Sequence, residues 1–402
     1  MYSHDRQTPD YCSRGIKRRF SYANRLHFIP VAGKPVRLGD VTMSRLIVGL
    51  SGGVDSAVAA ARMLEAGHEV VAVHLWLDPD NTGQDGWGSS ANATDAREVA
   101  QRLGIEFEVW DFSSDFRRIV VEDFLAEYAR GRTPNPCLRC NEQIKFSAVI
   151  DRALAQGFDG VVTGHYARLE TNDAGHVDLH RGVDKDKDQS YVLGVLTQDR
   201  LRRCFFPLGD STKEEVRAEA ARRGITVADK PDSLDICFIR DGRTADYLHR
   251  HIEDRPGEIR SEDGQVLGSH RGIFTYTIGQ RKGLRLGRPA TDGQPRYVVG
   301  LDSHANTVIV GPRTSLQVTQ IRGINPVWTD HLAQSEFHAA VQLRAHADEI
   351  PARISVDDAG VTINLDTATY GIAPGQTAVI YDGTRVVGSA TIDSATSTEA
   401  TP

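Results

Sequence analysis

The residues of this chain whose types and spacing could carry chemistry begin with a glycine loop. The loop has the sequence S-G-G-V-D-S from Ser51 to Ser56, after an apolar run that starts at Leu46 and before an alanine-rich helical pattern. A strand, a glycine loop and a helix in this order turn backbone N–H groups and a helix N-terminus toward an anion. The loop has neither the lysine of the G-x-x-x-x-G-K-[ST] motif nor G-x-G-x-x-G spacing, so it predicts a phosphate site of another kind.

Cysteines form the second group. Cys137 and Cys140 stand in T-P-N-P-C-L-R-C-N, and Cys237 follows in an apolar segment. The C-x-x-C pair alone is compatible with half a zinc site, a redox pair or packing, since no second C-x-x-C or H-x-x-H completes a zinc site. The prolines predict an extended entry into a helix, and the helix N-terminus together with Arg139 is expected to lower the thiol pKa. Cys204, beside two phenylalanines, is predicted to be a buried apolar residue.

Composition and charge limit the class of protein. The chain has 402 residues, of which 40% are hydrophobic and 25% charged, which is typical of a globular protein with two or three domains. It has no run of about eighteen apolar residues, so no membrane span is expected. The net charge of −7 argues against a surface coated with basic residues, although it is compatible with a local basic groove. Five cysteines, an odd number, favour a reducing cytoplasm over a secreted disulfide framework.

Residues 1–42 differ in charge from the rest of the chain. They contain eight Lys/Arg and three Asp/Glu, a net charge of +5, so the remainder carries −12. The segment lacks the apolar core of a secretory signal. We interpret it as an N-terminal extension, either disordered or preceding the true start at Met43. A basic arm that touches RNA is the alternative.

The order of the predicted elements indicates three domains. Strands alternate with helices over residues 43–240, which predicts an α/β domain with a doubly wound parallel sheet and a ligand at the carboxyl ends of its strands. Helical patterns end there, and residues 241–303 are predicted to form a small, mainly β central domain. Short alternating segments over residues 304–393, the first from Thr307 to Val310, predict a C-terminal antiparallel β-barrel. Residues 394–402 are expected to be a disordered tail.

Six motifs occur together and in a fixed order along the chain. They are the glycine loop, T-P-N-P-C-L-R-C-N-E-Q-I-K-F, T-G-H-Y, K-D-Q-S-Y, D-I-C-F-I and T-I-G-Q-R-K-G-L. As a set, from about Ser44 to Ile392, they resemble the tRNA-specific 2-thiouridylase family, whose loop is that of the ATP pyrophosphatases. The resemblance implies a fold of the adenine-nucleotide hydrolase type and ATP-dependent replacement of O2 by sulfur on the wobble uridine of tRNA. It also implies ATP and Mg²⁺, a tRNA anticodon region as substrate, and a cysteine desulfurase or sulfur-relay protein as sulfur donor.

The resemblance also implies roles for individual residues. Cys140 corresponds to the catalytic cysteine and Cys237 to the partner that receives persulfide sulfur, so the two would form a disulfide bond during turnover. The implied ATP contacts are Gly49, Leu50, Ser51, Gly52, Gly53, Val54, Asp55, Ser56, Leu75 and Gly164. The implied contacts with the target base or the rest of the tRNA are Asn135, Pro136, Cys137, Lys187, Asp188, Gln189, Arg344 and Ala345. As alternatives, Lys187 and Arg344 are solvated surface charges, and His165 is scaffold rather than an acid or base.

Two departures from the family pattern bear on the mechanism. Many members carry aspartate where this chain has Cys137, so a role of that carboxylate cannot be transferred. Some also have paired cysteines where this chain has Gly88-Ser89-Ser90. The set of three cysteines, Cys137, Cys140 and Cys237, therefore resembles that of relatives that hold a 4Fe–4S cluster by three thiolates. Either this cluster or persulfide exchange is expected. The competing functions are another ATP pyrophosphatase-type ligase, another tRNA-modifying enzyme and a silent RNA-binding protein.

Overall fold

The structure, a computed structural model, describes residues 43–77, 90–225, 236–239, 243–287, 293–329 and 334–397. The predicted extension over residues 1–42 and the last residues of the predicted tail lie outside the described residues. Within the described ranges, no helix is both long and apolar enough to cross a bilayer.

The N-terminal part of the chain folds around a parallel sheet. Five strands lie in the order β3-β2-β1-β4-β7, and every neighbouring pair is parallel. Leu46, Ile47 and Val48 of the central strand are fully buried, as a strand covered on both faces must be. The bounds, including a separate hairpin β5–β6, are β1 Arg45–Gly49, β2 Glu69–Trp76, β3 Phe107–Asp111, β4 Gly160–Val162, β5 Ala167–Thr171, β6 Val177–Arg181 and β7 Cys204–Phe205. The predicted doubly wound sheet is confirmed.

Helices cover both faces of this sheet and give two separate hydrophobic clusters. Small alanines let the first helix pack closely on β1, and Thr212 with Glu215 forms a capping box that starts the ninth helix. Two π-helical segments, Arg117–Val121 and Asn141–Ala148, continue short helices. The α-helices are α1 Val54–Glu65, α2 Ser90–Leu103, α3 Ser113–Phe116, α4 Glu122–Ala129, α5 Pro136–Cys140, α6 Val149–Ala155, α7 Ser190–Leu193, α8 Gln198–Leu201, α9 Lys213–Arg222 and α10 Thr244–His251.

A four-stranded sheet forms the central part of the chain. Its order is β10-β11-β8-β9, in which only the β11–β8 pair is parallel. The cluster beneath it contains Ile259, Val298 and Val308, all fully buried. Short 3₁₀ turns follow at Ile273–Thr275 and Arg313–Leu316. The strands are β8 Gly257–Ser261, β9 Val266–His270, β10 Tyr297–Asp302 and β11 Thr307–Gly311.

The C-terminal part is a closed antiparallel barrel, as predicted. Its six strands pair in the order β12-β15-β14-β13-β16-β17, and β17 pairs back with β12 to close the ring. The barrel also joins the first part, since Arg385 of β17 pairs with His180 of the β5–β6 hairpin. The strands are β12 Gln317–Trp328, β13 Glu336–Gln342, β14 Ile350–Asp357, β15 Gly360–Tyr370, β16 Thr377–Asp382 and β17 Arg385–Thr396.

The barrel and the first part share one hydrophobic cluster. Tyr381 and Val379 of β16 lie in the same cluster as Tyr191 of α7. The Tyr191 hydroxyl donates to the Thr377 carbonyl oxygen at 2.8 Å. A side chain at Gly194 would place its Cβ 2.9 Å from Val379, so the two parts approach too closely for any larger residue there. The barrel is therefore packed against the parallel-sheet part rather than tethered to it.

Three predictions about the C-terminal half were wrong. Helical structure does not end near residue 241, because Thr244–His251 is a helix whose Tyr247 and Leu248 are buried. The strand Thr307–Gly311 belongs to the central sheet, not to the barrel, because it pairs with β10 and β8. Residues 394–396, predicted to be in a disordered tail, extend β17 because Ala395 pairs with Ile321 of β12. Short alternating strands look alike in sequence, and only their partners reveal the sheet to which they belong.

Candidate functional site

The glycine loop lies at the carboxyl end of β1 and is braced by its own residues. The Ser51 N–H donates to Ser56 Oγ at 3.2 Å, and Ser56 Oγ donates to the Gly53 carbonyl oxygen at 3.1 Å. Gly52 has a φ of +77°, and a Cβ there would lie 2.7 Å from the Asn92 carbonyl oxygen. Only glycine fits that position. Gly53 precedes α1 without a side-chain cap, so a ligand or water can meet the amides of its first turn.

The carboxylate of Asp55 is held from two sides. The Tyr166 hydroxyl donates to Oδ1 at 2.7 Å, and the Lys213 ammonium lies 2.8 Å from Oδ1 and 2.7 Å from Oδ2. The Lys213 side chain is 11% exposed and that of Asp55 32%, so this ion pair is shielded from water more than a surface pair. Sequence reasoning missed both partners. Tyr166 stood in the T-G-H-Y motif, whereas Lys213 had no signal beyond its place after the capping threonine.

Other predicted ATP contacts surround the loop. Gly164 lies just after β4. A Cβ at this position would lie 2.8 Å from the Ser56 nitrogen, so the absence of a side chain lets the segment after β4 contact the start of the first helix. Leu75 lies half-buried near the end of β2. Beside it, His74 Nδ1 donates to the Leu50 carbonyl oxygen at 2.9 Å, and burial lowers the pKa of His74. The predicted residues therefore share one edge of the sheet, and their contact with ATP stays a prediction.

A turn over residues 183–190 holds both partners of Asp55. The Tyr166 N–H donates to Gln189 Oε1 at 3.0 Å, and the Gln189 N–H donates to the Tyr166 carbonyl oxygen at 2.9 Å. The Lys213 N–H donates to Asp184 Oδ2 at 2.8 Å. The turn contains Lys187, Asp188 and Gln189, which were predicted to contact tRNA. It therefore connects the predicted RNA contact to the loop within a few hydrogen bonds.

Asp188, which was predicted to contact tRNA, bonds to other residues of the protein. Its side chain is 8% exposed and pairs with Arg181 at 2.9 Å. Its oxygens also accept from the N–H groups of Gly182 and Ser190 and from the Ser190 hydroxyl. Arg181 in turn donates to Gln342 and Glu349 of the barrel side. The carboxylate of Asp188 thus fixes the turn against the barrel, and RNA contact by the turn stays a prediction.

The cysteine segment forms a short helix as its sequence predicts. Asn135 caps α5 by accepting the Cys137 N–H at 3.1 Å, and Pro136 occupies the first helical position. Cys137 is half-buried in the first turn, while Cys140 is 6% exposed at the end of α5. The helix continues as a π-helix, a form that often marks a functional site.

The predicted low pKa of these thiols was wrong for Cys140. Burial raises the pKa of Cys140 to about 11, against an opposing effect of Lys145. The pKa of Cys237 is raised further, first by burial and then by the nearby Cys140 and Cys137. Arg139 does not help, because its guanidinium pairs with Glu142 at 3.1 Å. At neutral pH Cys140 and Cys237 are therefore thiols rather than thiolates.

The three cysteines share one neighbourhood but do not form a metal centre in this structure. Cys140 and Cys137 both raise the pKa of Cys237, so each lies near enough to interact with that thiol. Among the described residues, which include all three, no three His, Cys, Asp or Glu side chains are placed to hold a metal ion. All three are free thiols. That absence concerns a site for a single ion, so a 4Fe–4S cluster ligated by Cys137, Cys140 and Cys237 stays a prediction, as does persulfide exchange.

Cys204 is buried as predicted, and the surroundings of His165 favour a scaffold role. Cys204 is buried, with Sγ donating to the Arg200 carbonyl oxygen at 3.1 Å, as predicted for a packing residue. His165 lies against Phe146 and Phe206, with Nδ1 2.7 Å from Thr163 Oγ1. Burial, with Lys145 nearby, holds the pKa of His165 well below its ordinary value. This packing supports the scaffold interpretation of His165, and a role as acid or base is not tested by it.

Arg344 and Ala345 lie on the barrel, after β13. One amino group of Arg344 donates to the Gly371 carbonyl oxygen, and the side chain is exposed. Ala345 is half-buried, and its carbonyl oxygen accepts Gln342 Nε2 at 3.0 Å. Their contact with tRNA stays a prediction, although the exposure of Arg344 is compatible with it.

Comparison with known proteins identifies the class first. The parallel sheet and its loop form an α/β domain of the HUP class, since the family model described as "tRNA methyl transferase HUP domain" matches residues 44–241. The models described as "tRNA methyl transferase PRC-barrel domain" and "Aminomethyltransferase beta-barrel domain" match residues 245–312 and 318–392. The central match includes β11, in agreement with the strand pairing.

The family follows from full-length relatives. The tRNA-specific 2-thiouridylase MnmA of Acidothermus cellulolyticus is 55% identical over 352 residues, which cover 87% of this chain and 97% of that protein. The protein of the same name from Nocardioides sp. is 56% identical over 357 residues, with 87% and 97% covered. The chain belongs to the tRNA-specific 2-thiouridylase family, as its motifs predicted.

Solved structures are less similar. One titled "Crystal structure of a 4-thiouridine synthetase - RNA complex with bound ATP" is 16% identical, with a TM-score of 0.33, and covers 52% of this chain and 50% of its own. An NMN synthetase from Francisella tularensis is 20% identical with a TM-score of 0.28, covering 48% of this chain and 67% of its own. Likenesses this weak support no inference about this chain.

Proposed function

We propose that this protein catalyses the ATP-dependent 2-thiolation of the wobble uridine of tRNA. The family of its relatives supports this function, because those proteins are named tRNA-specific 2-thiouridylases. The observation that carries the proposal is the presence, in one domain, of a braced glycine loop and of interacting thiols, a buried Cys140 and a half-buried Cys237. Phosphate chemistry and sulfur chemistry are the two parts that this reaction needs.

The first step is activation of the uridine. The O2 atom attacks the α-phosphorus of ATP, the bond to the bridging oxygen breaks, and pyrophosphate leaves with that electron pair. The amides of the loop and of the first turn of α1 are suited to bind the phosphates. Mg²⁺ would enter as the Mg–ATP complex and would offset negative charge on pyrophosphate. We assign it no ligand from Asp55, whose carboxylate is engaged by Lys213 and Tyr166.

The second step transfers sulfur. The terminal sulfur of a persulfide on Cys237 attacks C2, and AMP leaves with the electron pair of the C2–O2 bond. Cys140 then attacks the inner sulfur of that persulfide, which releases 2-thiouridine and leaves a Cys140–Cys237 disulfide. A thiol reductant must reduce this disulfide before a sulfur donor, a cysteine desulfurase or a sulfur-relay protein, renews the persulfide. The high pKa of both thiols keeps them protonated, and so protected from oxidation, until substrate and donor engage.

The tRNA must present its uridine between these two regions. The α5 entry with Asn135, Pro136 and Cys137 is assigned to the target base, which has to be turned out of the anticodon loop to reach buried groups. Lys187 and Gln189 of the 183–190 turn and Arg344 of the barrel are assigned to the surrounding RNA. The turn also bonds to Tyr166 and Lys213, so we assign it the role of coupling RNA binding to the position of Asp55.

The descriptions of the comparisons name two different group transfers. The family models carry the words tRNA methyl transferase, whereas the full-length relatives are named thiouridylases. The cysteines favour the thiouridylase, because interacting thiols in the same domain as a phosphate-type loop have a direct use in sulfur transfer. An amide-forming ligase on the same fold would not need these thiols.

Mass spectrometry of tRNA nucleosides tests the function. The purified chain is incubated with unmodified tRNA, Mg–ATP and a persulfide donor, and the nucleosides are separated after digestion. We expect 2-thiouridine at the wobble position, with AMP and pyrophosphate formed in equal amounts. Methylated nucleosides formed from a methyl donor, or AMP without any thiolated product, would contradict the proposal.

A further inference from the structure

A cavity of about 420 Å³ lies where the three parts of the chain meet, and its described lining includes neither the glycine loop nor a cysteine. One wall comes from Thr133, just before the target-base segment, and another from the central sheet and the Arg313 turn. The barrel supplies the third wall at Arg344 and the end of β15. The residues of these walls that bear on ligand binding are Gly279, Tyr297, Tyr370, Gly371 and Gln376. Its volume is in the range of small-ligand sites, about 300–1,000 Å³.

The lining is basic and aromatic in a chain that is acidic overall. It contains Arg313, Arg344, Tyr297 and Tyr370, and none of the described residues that line it is an aspartate or glutamate. The Arg313 guanidinium lies 5.0 Å from the centre of the Tyr370 ring, a cation–π contact. Tyr370 is nevertheless 42% exposed, so much of its surface is open. Arginine beside an exposed aromatic ring is the combination that binds a nucleic-acid phosphate and stacks its base.

We propose that this cavity receives one unstacked nucleotide of the tRNA anticodon loop, within a few nucleotides of the target uridine. Its base stacks on Tyr370, and the guanidinium groups of Arg313 and Arg344 bind the adjoining phosphate. This inference rests on the proposed function and adds a second nucleotide site to it. The site accounts for the exposure of a tyrosine at a strand end and for two arginines that converge on one cavity.

The position of Thr133 connects the cavity to the target-base segment. Its N–H donates to the Pro374 carbonyl oxygen at 2.8 Å, and its carbonyl oxygen accepts Gln376 Nε2 at 2.6 Å. These bonds fix the wall to the barrel. Three residues lie between Thr133 and Cys137, so their Cα atoms are no more than about 14 Å apart even in an extended chain. At about 3.4 Å per stacked nucleotide, that distance spans only a few nucleotides of one strand.

Close packing keeps the opposite walls at a fixed distance. Gly371 has a φ of +67°, and a Cβ there would lie 3.3 Å from Gly279 Cα of the central part. The Gly371 N–H donates to the Leu316 carbonyl oxygen at 2.9 Å. The central part and the barrel therefore meet backbone to backbone at the floor of the cavity. A preformed cavity of this kind loses little freedom on binding, which favours recognition of a single base.

The test compares Tyr370→Ala with Tyr370→Phe, which keeps the ring and removes only the hydroxyl. Affinity is measured for an anticodon stem-loop RNA, intact or with one base at a time removed around the target uridine. We expect Tyr370→Ala to weaken binding about tenfold and Tyr370→Phe to bind within about twofold of wild type. One abasic RNA should weaken wild type by the same factor while having no further effect on Tyr370→Ala.

Removal of the positive charge of Arg313 is a second test of the site. Arg313→Ala should weaken binding of the intact stem-loop and reduce the slope of log affinity against log salt by about one. The matched control is Arg260→Ala, which removes a half-exposed arginine of the central sheet that does not line the cavity. That control should leave both the affinity and the salt slope unchanged. Melting temperatures of all variants confirm that each is folded.

The outcomes separate this site from the proposed function. If folded Tyr370→Ala binds the stem-loop as wild type does, or if no abasic RNA couples to it, the nucleotide site is wrong although thiolation by wild type stands. If wild type forms no 2-thiouridine, the proposed function itself fails. Displacement of the stem-loop by 5′-AMP from wild type but not from Tyr370→Ala would replace the RNA assignment with a site for free nucleotide.

Discussion

The glycine loop and the cysteine segment lie in the same domain, yet they are prepared for their chemistry in opposite ways. The loop is complete before any ligand binds, because Ser56 braces it and Lys213 and Tyr166 hold Asp55. The cysteines are close together but inactive, because burial raises the pKa of Cys140 and of Cys237.

The difference follows from what each site requires and from the side reactions to which it is exposed. A phosphate site gains from fixed donors, since fixed dipoles need no rearrangement when charge develops on the leaving group. A permanently ionised thiol would be oxidised or alkylated in the absence of substrate. We therefore expect changes in the loop to affect ATP chemistry at once, and changes at the cysteines to affect only sulfur transfer.

The largest difference between sulfur transfer and ATP chemistry should come from substitution of the cysteines. Cys140→Ser and Cys237→Ser should form no measurable 2-thiouridine, because serine cannot carry or resolve a persulfide. The tRNA-dependent release of pyrophosphate should continue, because adenylation precedes the attack by sulfur. Cys204→Ser makes the same chemical change at a packing residue, and should keep activity with a stability loss of about 1 kcal/mol. Both products are quantified in the same reaction.

Cys137→Ser distinguishes the two sulfur chemistries. With persulfide exchange this variant should keep much of its activity, since only Cys140 and Cys237 change oxidation state. Anaerobic reconstitution followed by iron and sulfide analysis provides the independent measurement. Iron bound by wild type and lost together with activity in Cys137→Ser would show that the three thiols rearrange into cluster ligands.

The second largest effect should come from neighbouring glycines of the loop. Gly53→Val keeps an allowed backbone, with a φ of −108° and only the mobile Ser51 Oγ near its Cβ, but its side chain blocks phosphate. We expect a folded protein with AMP formation reduced about 100-fold or more. Gly52→Val combines a φ of +77° with a clash against Asn92, so it should also melt at a lower temperature. Equal melting temperatures for the two variants would contradict this account of the loop.

A moderate effect is expected where the RNA turn meets the loop. Lys213→Met should reduce kcat for AMP formation about tenfold by leaving the carboxylate of Asp55 without its cation, and Lys213→Arg should restore part of it. Asp184→Asn weakens only the bond that positions the Lys213 N–H. It should therefore leave the affinity for ATP unchanged and reduce the rate of tRNA-dependent AMP formation. Identical rates in Asp184→Asn and wild type would remove the coupling assigned to the turn.

The smallest expected effect is on the pH dependence of the stability of the fold. Burial lowers the pKa of His74 and of His165, so unfolding allows both to take up protons. Their contribution is therefore present above their ordinary value of 6.5 and is lost as the pH falls below it. Thermal melting between pH 8 and pH 5 should show a falling midpoint, and His165→Gln should flatten the curve. His304→Gln, an exposed histidine, is the control that should leave it unchanged.

The alternation of strands and helices and the Ser51–Ser56 loop were enough to predict the parallel sheet and its reactive edge. Local chemistry dictated both, because apolar runs bounded by glycine have few other structures available. The same reasoning predicted the helix that begins at the cysteine segment and the burial of Cys204. It could not assign Thr307–Gly311 to its sheet, since register and partners depend on distant residues.

The sequence by itself determined which residues could do chemistry, and the tertiary structure decided their chemical state. C-x-x-C at a helix N-terminus predicted reactive thiolates, yet Cys140 ends its helix in a dry cluster where desolvation outweighs the nearby charge of Lys145. Lys213 and Tyr166 meet Asp55 from 158 and 111 residues away, a contact that no local pattern encodes. Charge and burial depend on everything that surrounds a group in space, and only the folded chain brings those surroundings together.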